Sequence, residues 1–300
     1  MSTTLKATRG VLAAAGRLSP RLAAELAFPL FMRVGRRVRV REEDLFTHDS
    51  ARRRDITVDG KRVAVYEWGR GNKTVLLVHG WQGRASQFAA LVRELRAEGL
   101  AVVAFDAPAN GDSEGRGTYI LDYIEAIRQL QPEEGFHAIV AHSFGVLAAL
   151  SAVNEGVKAH RMVGIAGVAD AGYLVDSFAA QLALRPGTTT ALRQVFQRRV
   201  FPDGPDIFER FSGVGHPLPA GLPLLLVHDE ADAVVSPGQS QRLAAAHPGR
   251  SQLLAATALG HTRILAADLT LEAVTRFVVE DEPEPRPLVA AQSPATSSTS

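Results

Sequence analysis

The chain has 300 residues, of which 46% are hydrophobic and 22% charged, proportions typical of a globular protein that can stabilise its own core. It contains no cysteine, which excludes disulfides, thiolate zinc sites and a cysteine nucleophile but leaves the redox compartment open. Its net charge of +1 gives no reason to expect a nucleic-acid partner.

The sequence predicts neither a membrane-spanning segment nor a secretory signal. No apolar run approaches the roughly 18 residues that are needed to cross a bilayer. The short apolar stretch at residues 11–15 is too weak for a secretory signal, and no convincing cleavage site follows it. We therefore expect a cytoplasmic location.

Residues 1–54 are predicted to form a helical extension. Residues 18–35 have an amphipathic helical pattern, in which Pro29 should kink or split the helix. Such a segment, beside a cluster of arginines, is suited to weak contact with an anionic membrane surface. The simpler interpretation, which we favour, is a helix packed on the main domain with solvated arginines. The clustered arginines are Arg33, Arg36, Arg37, Arg39 and Arg41.

From residue 55 the pattern changes to strands separated by helices. Asp59-Gly60 predicts a hairpin, because both central positions of a tight type I′ turn need positive φ. The continuous apolar runs that follow predict strands buried on both faces of a parallel sheet. The predicted strands are residues 56–58, 62–68, 74–79, 100–105, 136–141, 162–165, 222–227 and 252–255.

Helical segments alternate with these strands. This alternation predicts an α/β fold, a mostly parallel sheet covered by helices on both faces, with functional residues at the carboxyl ends of the strands. The core is expected to comprise residues 55–168 and 222–280. Residues 281–300 are rich in Pro, Ser, Thr and Ala and are predicted to be a disordered tail. The predicted helices are residues 86–98, 119–130, 144–155, 237–246 and 263–277.

Residues 169–221 interrupt this alternation. About 50 residues between two predicted strands are far more than a normal connection needs. They contain helical patterns at 174–184 and 191–199, separated by proline- and glycine-containing turns. We interpret them as an inserted helical cap.

Ser143 is the strongest candidate for a catalytic residue. The segment Phe136-His-Ala-Ile-Val-Ala-His-Ser-Phe-Gly145 carries a buried strand into Ser143 and then directly into a small, apolar helix. A serine in this sharp turn exposes its hydroxyl above the sheet, at a helix N-terminus whose free amides favour developing negative charge. The simpler interpretation is an ordinary N-cap serine.

At this point the sequence resembles the α/β-hydrolase family, whose nucleophile turn reads G-x-S-x-G. Gly145 matches the second glycine, whereas Ala141 replaces the first; alanine is small enough for the close packing of a tight turn. The resemblance covers residues 55–280 and implies an α/β-hydrolase fold with a helical cap insertion.

The segment His79-Gly80-Trp81-Gln82-Gly83 follows a buried strand. It resembles the family's H-G-x-x-G loop, which supplies half of the oxyanion hole. By this resemblance the donors are the amides of Trp81 and Phe144, and His79 is a structural hydrogen-bonding residue. A nucleotide-binding glycine loop is the rival, but neither of its usual motifs is present.

The segment that begins at Asp106 resembles the family's loop D-x-P-G-H-G-x-S. Ala109 and Asn110 replace the usual Gly and His. Because its residues are turn formers, we assign the loop a structural role at the rim of the site.

A serine nucleophile needs a base, which is itself oriented by a third group. In this fold the chain order is Ser, acid, His. Two loops that follow predicted strands resemble the family's acid and histidine loops, and they make Asp232 the acid and His261 the base. Asp229 and Asp170 are the competing acids. His142 adjoins Ser143, but strand alternation is expected to point its side chain away from the serine.

The resemblance implies a serine hydrolase that cleaves an acyl bond in a small-molecule substrate, with a carboxylic ester as the first expectation. Thioesterase, lysophospholipase and acyltransferase chemistry use the same residues, and a non-catalytic binding module on this fold is the rival class. No cofactor and no metal are expected, and no oligomeric state is indicated. From the cap, Phe178 and Phe196 are predicted to line an apolar acyl-binding pocket.

Overall fold

Eight strands form one sheet in residues 3–280, the part of the chain that the computed structural model describes. The predicted tail, residues 281–300, lies outside the described residues. Each predicted strand is present, with ends that differ by at most four residues. The strands are β1 (Arg52–Val58), β2 (Lys61–Trp68), β3 (Thr74–Val78), β4 (Ala101–Phe105), β5 (Ala138–His142), β6 (Met162–Ile165), β7 (Leu224–Asp229) and β8 (Ser251–Ala256).

The sheet has the order β1-β2-β4-β3-β5-β6-β7-β8. The hairpin β1–β2 is antiparallel, and its turn residues Asp59 and Gly60 have φ of 48° and 71°, as a tight turn requires. β2 also runs antiparallel to β4, whereas every pair from β4 to β8 is parallel. This is the predicted α/β fold with a mostly parallel sheet.

Twelve α-helices surround the sheet in the described residues. None of them is long and apolar enough to cross a membrane. They are α1 (Thr3–Leu18), α2 (Pro20–Phe31), α3 (Glu42–Asp49), α4 (Ala89–Ala97), α5 (Ile120–Leu130), α6 (Phe144–Asn154), α7 (Ala171–Leu182), α8 (Pro186–Val200), α9 (Ile207–Arg210), α10 (Gly238–Ala246), α11 (Gly260–Arg263) and α12 (Asp268–Val279).

The apolar side chains form three clusters. One cluster lies between the sheet and the helices α5, α6 and α10, and a second lies on the other face under α4 and α12. Because both faces of the central strands are buried, β5 and β7 are apolar almost throughout. The third cluster joins α1 and α2 to α7 and α8.

The helices α7, α8 and α9 lie in the predicted insertion between β6 and β7. They meet the N-terminal helices, since Glu25 of α2 pairs with Arg198 and Arg199 of α8. The helix α2 runs through Pro29 and ends at Phe31, so the proline neither splits it nor stops it at once. Pro29 falls in the last turn, where the loss of one backbone donor disturbs little of the helix.

Candidate active site

Ser143 occupies the junction between β5 and α6. Its backbone has φ of 55° and ψ of −123°, and this turn lets the chain pass abruptly from strand to helix. The amide of Ser143 donates to the carbonyl of Ile165 on β6 (2.9 Å), and its carbonyl accepts from the amide of Val146 (3.1 Å). These bonds hold the turn at the carboxyl end of the sheet.

Two glycines make room for this turn. A Cβ at Gly80 would lie 2.7 Å from Cβ of Ser143, and a Cβ at Gly145 would lie 2.5 Å from the carbonyl oxygen of Val78. Any side chain at either position would therefore push the turn away from β3. The second position explains the glycine that follows the nucleophile in the motif, and the first explains the glycine after His79.

Three side chains from separate loops form a hydrogen-bonded chain. Nε2 of His261 lies 3.0 Å from Oγ of Ser143, and Nδ1 of His261 lies 2.7 Å from Oδ2 of Asp232. Because a carboxylate can only accept, Nδ1 carries the proton and donates it to Asp232. The lone pair of Nε2 then faces the serine hydroxyl, which is the arrangement that a general base requires.

The carboxyl group of Asp232 is buried but has many donors around it. Burial alone would raise its pKa, yet His228, His261 and the amides of Val234 and Val235 surround the carboxylate and hold the pKa well below its ordinary value. Asp232 is therefore ionised at neutral pH and can stabilise a charged imidazole at His261.

His228 is a contact of Asp232 that the sequence motifs did not single out. It is buried on β7, its Nδ1 lies 2.7 Å from Oγ of Ser240, and its Nε2 lies 3.0 Å from the carbonyl of Val235 and 3.5 Å from Oδ2 of Asp232. The ring therefore braces the loop that carries the acid. The sequence signal for this contact was the position of His228 near the end of a buried strand, four residues before Asp232.

The two competing acids have structural partners. Asp229 accepts from the amides of Leu259 (2.7 Å) and Ala231 (2.8 Å), and so ties the acid loop to the histidine loop. Asp170 caps α7 by accepting from the amide of Tyr173 (2.8 Å), and it pairs with Arg242 (2.6 Å). Neither carboxylate is hydrogen-bonded to His261 in the described residues.

His142 is not hydrogen-bonded to Ser143 in the described residues, but it contacts His261. Its ring centroid lies 4.7 Å from that of His261, and its Nε2 lies 2.9 Å from the carbonyl of His261. Burial, followed by the proximity of His261, lowers the pKa of His142 to about 3. His142 is therefore neutral and packs on the imidazole of His261 without adding charge.

The predicted oxyanion-hole residues, Trp81 and Phe144, lie in two segments close to Ser143 in the fold. Phe144 is the first residue of α6, and Trp81 lies in the loop after β3, the strand next to β5. Within residues 3–280 neither amide donates to a backbone carbonyl. Their rings pack edge to face with centroids 5.5 Å apart.

His79 and Asp106 stabilise the loops at this edge. Nδ1 of His79 donates to the carbonyl of Gly80 (2.7 Å), while its Nε2 accepts from the amide of Ala107 (2.9 Å). Asp106 accepts from Tyr66 (2.9 Å) and from the amide of Ala85 (2.7 Å). Both side chains are buried, and they join the rim loops to each other.

Residues 32–41 cross this rim, which the sequence patterns did not predict. Arg33 forms a backbone bridge with Gly117, and Nη1 of Arg37 donates to the carbonyl of Gly111 (3.2 Å). Arg84 donates to the carbonyl of Val38 (3.1 Å). The segment thus lies beside the loop that carries Trp81. Contacts made through carbonyl groups leave no periodic pattern by which they could have been found.

The structure does not bring Phe178 and Phe196 to the Ser143 hydrogen-bonded chain. The ring of Phe178 lies 5.2 Å from that of Phe31, and the ring of Phe196 lies 5.5 Å from that of Phe31 and 6.1 Å from that of Phe28. Both cap residues therefore pack edge to face on α2 while remaining partly exposed. Across residues 3–280, no group of three or more His, Asp or Glu side chains is arranged to hold a metal ion.

The chain belongs to the alpha/beta hydrolase family, whose model matches residues 75–296. Family membership supports a hydrolase activity, and it agrees with the sheet order and with the position of Ser143 after β5. No curated protein sequence matches the chain.

Solved structures share the fold at low sequence identity. Alpha/beta hydrolase domain-containing protein 10 from mouse is 18% identical, with a TM-score of 0.60, over 76% of this chain and 97% of that one. An esterase from Pyrococcus furiosus is 19% identical, with a TM-score of 0.58, over 83% and 96%. A membrane phospholipase A, described as a bacterial virulence factor, is 16% identical, with a TM-score of 0.56, over 89% and 94%.

Proposed function

We propose that the protein is a serine hydrolase that cleaves carboxylic esters, with Ser143 as nucleophile, His261 as base and Asp232 as the orienting acid. The observation that carries the proposal is the continuous chain from Oγ of Ser143 through His261 to Asp232, at 3.0 and 2.7 Å. The names of two structural neighbours, an esterase and a phospholipase, agree with ester hydrolysis.

The reaction would proceed in two halves. His261 takes the hydroxyl proton as Ser143 attacks the carbonyl carbon, and the amides of Trp81 and Phe144 donate to the oxyanion of the tetrahedral intermediate. His261 then gives the proton to the departing alcohol, which leaves an acyl group on Ser143. Water, deprotonated by the same imidazole, releases the acid and restores the serine.

Ser143→Ala is the direct test of this proposal. The variant should hydrolyse p-nitrophenyl esters at least about 10³-fold more slowly than the wild type, and it should not be labelled by a fluorophosphonate. Ser151→Ala is the matched control, because Ser151 lies on the same helix with its hydroxyl bonded to the carbonyl of Leu147. A Ser143→Ala enzyme that keeps most of the wild-type rate would refute the assignment.

The acid is tested in the same assay. Asp232→Asn should lower kcat by several orders of magnitude, because the amide favours the wrong tautomer of His261. Asp229→Asn should instead lower the melting temperature, since it weakens the bond that holds the amide of Leu259. The opposite result, a mild Asp232→Asn and an inactive but stable Asp229→Asn, would move the acid to Asp229.

A further inference from the structure

The helix α2 buries its alanines and exposes its leucines. Ala23, Ala24 and Ala27 are fully buried, whereas Leu22 and Leu26 are each 46% exposed and Leu30 is 40% exposed. These leucines are spaced by four residues, so they form one row along the helix. Leu18, at the end of α1, is 83% exposed. A contiguous apolar row of this kind indicates an interaction surface rather than scattered surface leucines.

The surroundings of this row are strongly basic. Residues 1–40 contain eight Lys or Arg and one Glu, a net charge of +7 in a chain whose total is +1. The single acid, Glu25, is occupied by Arg198 and Arg199 of α8. In contrast, Arg33, Arg36, Arg37 and Arg39 lie exposed just after the leucine row. The acids of the next helix, α3, follow this segment, and two of them, Glu43 and Asp44, pair with Arg41.

The basic segment continues directly to the candidate active site. Gly35 lies against the side chain of Gln82, the residue after Trp81, and Arg37 contacts the loop at Gly111. A surface that bound α2 and residues 33–39 would therefore lie close to the rim of the Ser143 site.

We propose that Leu18, Leu22, Leu26 and Leu30, together with the arginines of residues 33–39, form a docking surface for an anionic lipid bilayer. The occupant must accept leucine side chains and attract cations at the same time, and the interface of an anionic bilayer does both. A second copy of this chain would bring two faces of net positive charge together, which opposes pairing. This proposal goes beyond the hydrolase activity and does not depend on it.

The test is vesicle binding by the full chain carrying Ser143→Ala, so that no lipid is hydrolysed if the protein is a serine hydrolase. Vesicles of phosphatidylcholine alone are compared with vesicles containing 30% phosphatidylglycerol. We expect at least about tenfold tighter binding to the anionic vesicles at 0.1 M NaCl, and a marked loss at 0.5 M NaCl. Equal binding to the two compositions would overturn the proposal.

Two pairs of substitutions locate the surface. Arg36→Gln with Arg39→Gln should weaken binding by about 25-fold, from about fivefold for each arginine near an anionic surface. Leu22→Ser with Leu26→Ser should weaken it by about tenfold or more. Both pairs alter exposed positions, and unchanged thermal melting shows that each variant is folded. If the leucine pair unfolds the protein, the arginine pair still decides the question.

Matched controls are available in other elements of the chain. Leu269→Ser alters an exposed leucine of α12, and Arg70→Gln with Arg96→Gln removes the same charge far along the chain from α2. Each control should change binding by less than about twofold. Losses as large as those at the test positions would overturn the proposal. So would sedimentation that shows a dimer which Leu22→Ser with Leu26→Ser dissolves, because the surface would then serve self-association.

Discussion

At the scale of single residues, the backbone at Ser143 has φ of 55° and ψ of −123°, a conformation that residues with a Cβ rarely adopt. Such a conformation costs on the order of 1–3 kcal/mol and persists only where its surroundings impose it. Here the bond to Ile165 and the close packing of Gly80 impose it. The backbone conformation of Ser143 therefore lowers the free energy of unfolding of the protein.

This strain gives a prediction in which two inactive variants differ in stability. Ser143→Gly should melt above Ser143→Ala, because glycine adopts the conformation freely while alanine keeps the strain. The gain should be about 1 kcal/mol, after part of it is lost to the greater freedom of glycine in the unfolded chain. Calorimetry of the two proteins measures it. Equal melting temperatures would mean that the turn is not strained.

At the scale of elements, the buried strands could be predicted closely because each is a continuous apolar run between turn residues. The helix α1 was predicted only as part of the helical extension of residues 1–54, without bounds of its own. For α2 the limit is different: alanine and leucine both count as apolar, so periodicity finds the helix but does not say which apolar face is buried. Side-chain size alone would predict that the leucines are buried, whereas in the structure they are exposed.

The candidate site was likewise predictable in part. Ser143, Asp232 and His261 follow strands whose carboxyl ends share one edge, so their approach could be expected from order alone. The bracing contacts of His228 and His142 depend on side-chain directions at the ends of β7 and β5. Motifs do not specify those directions.

The cap provides a prediction about substrate choice. If Phe178 and Phe196 bind the acyl chain, p-nitrophenyl esters with two or three more methylenes should raise kcat/KM by about 10- to 60-fold over acetate. Phe178→Ser or Phe196→Ser should flatten this preference while sparing the acetate rate. Phe28→Ser is the control, because its ring contacts Phe196 from α2. A preference that survives both cap substitutions, or one that Phe28→Ser removes equally, would make the cap rings purely structural.

At the scale of the whole molecule, several histidines are held neutral by the fold. Burial is the first cause in each case, and it lowers the pKa of each below the ordinary value near 6.5. The unfolded chain therefore binds more protons than the folded chain below about pH 6.5, so stability is fully present above this pH and falls on acidification. The histidines are His48, His79, His137, His142 and His247.

We expect the free energy of unfolding, measured with urea, to fall steadily between pH 7 and 5. His142, whose pKa is lowered to about 3, should contribute a slope that rises towards about 1.4 kcal/mol for each pH unit as the unfolded imidazole becomes protonated below about pH 6.5. His142→Gln keeps a donor for the carbonyl of His261. It should reduce the slope of the free energy of unfolding against pH by the amount that corresponds to about one proton bound on unfolding. A slope that the substitution leaves unchanged would show that His142 titrates normally.

The charged residues that sum to +1 are distributed unevenly along the sequence. With +7 in residues 1–40, the remaining residues carry −6, so positive charge is concentrated in the segment that contains the N-terminal helices. In the field of a negatively charged surface such a molecule rotates before it makes contact. It would arrive with the leucine row and the rim of the Ser143 site already facing that surface, and the capture rate would exceed that of an evenly charged protein of the same net charge.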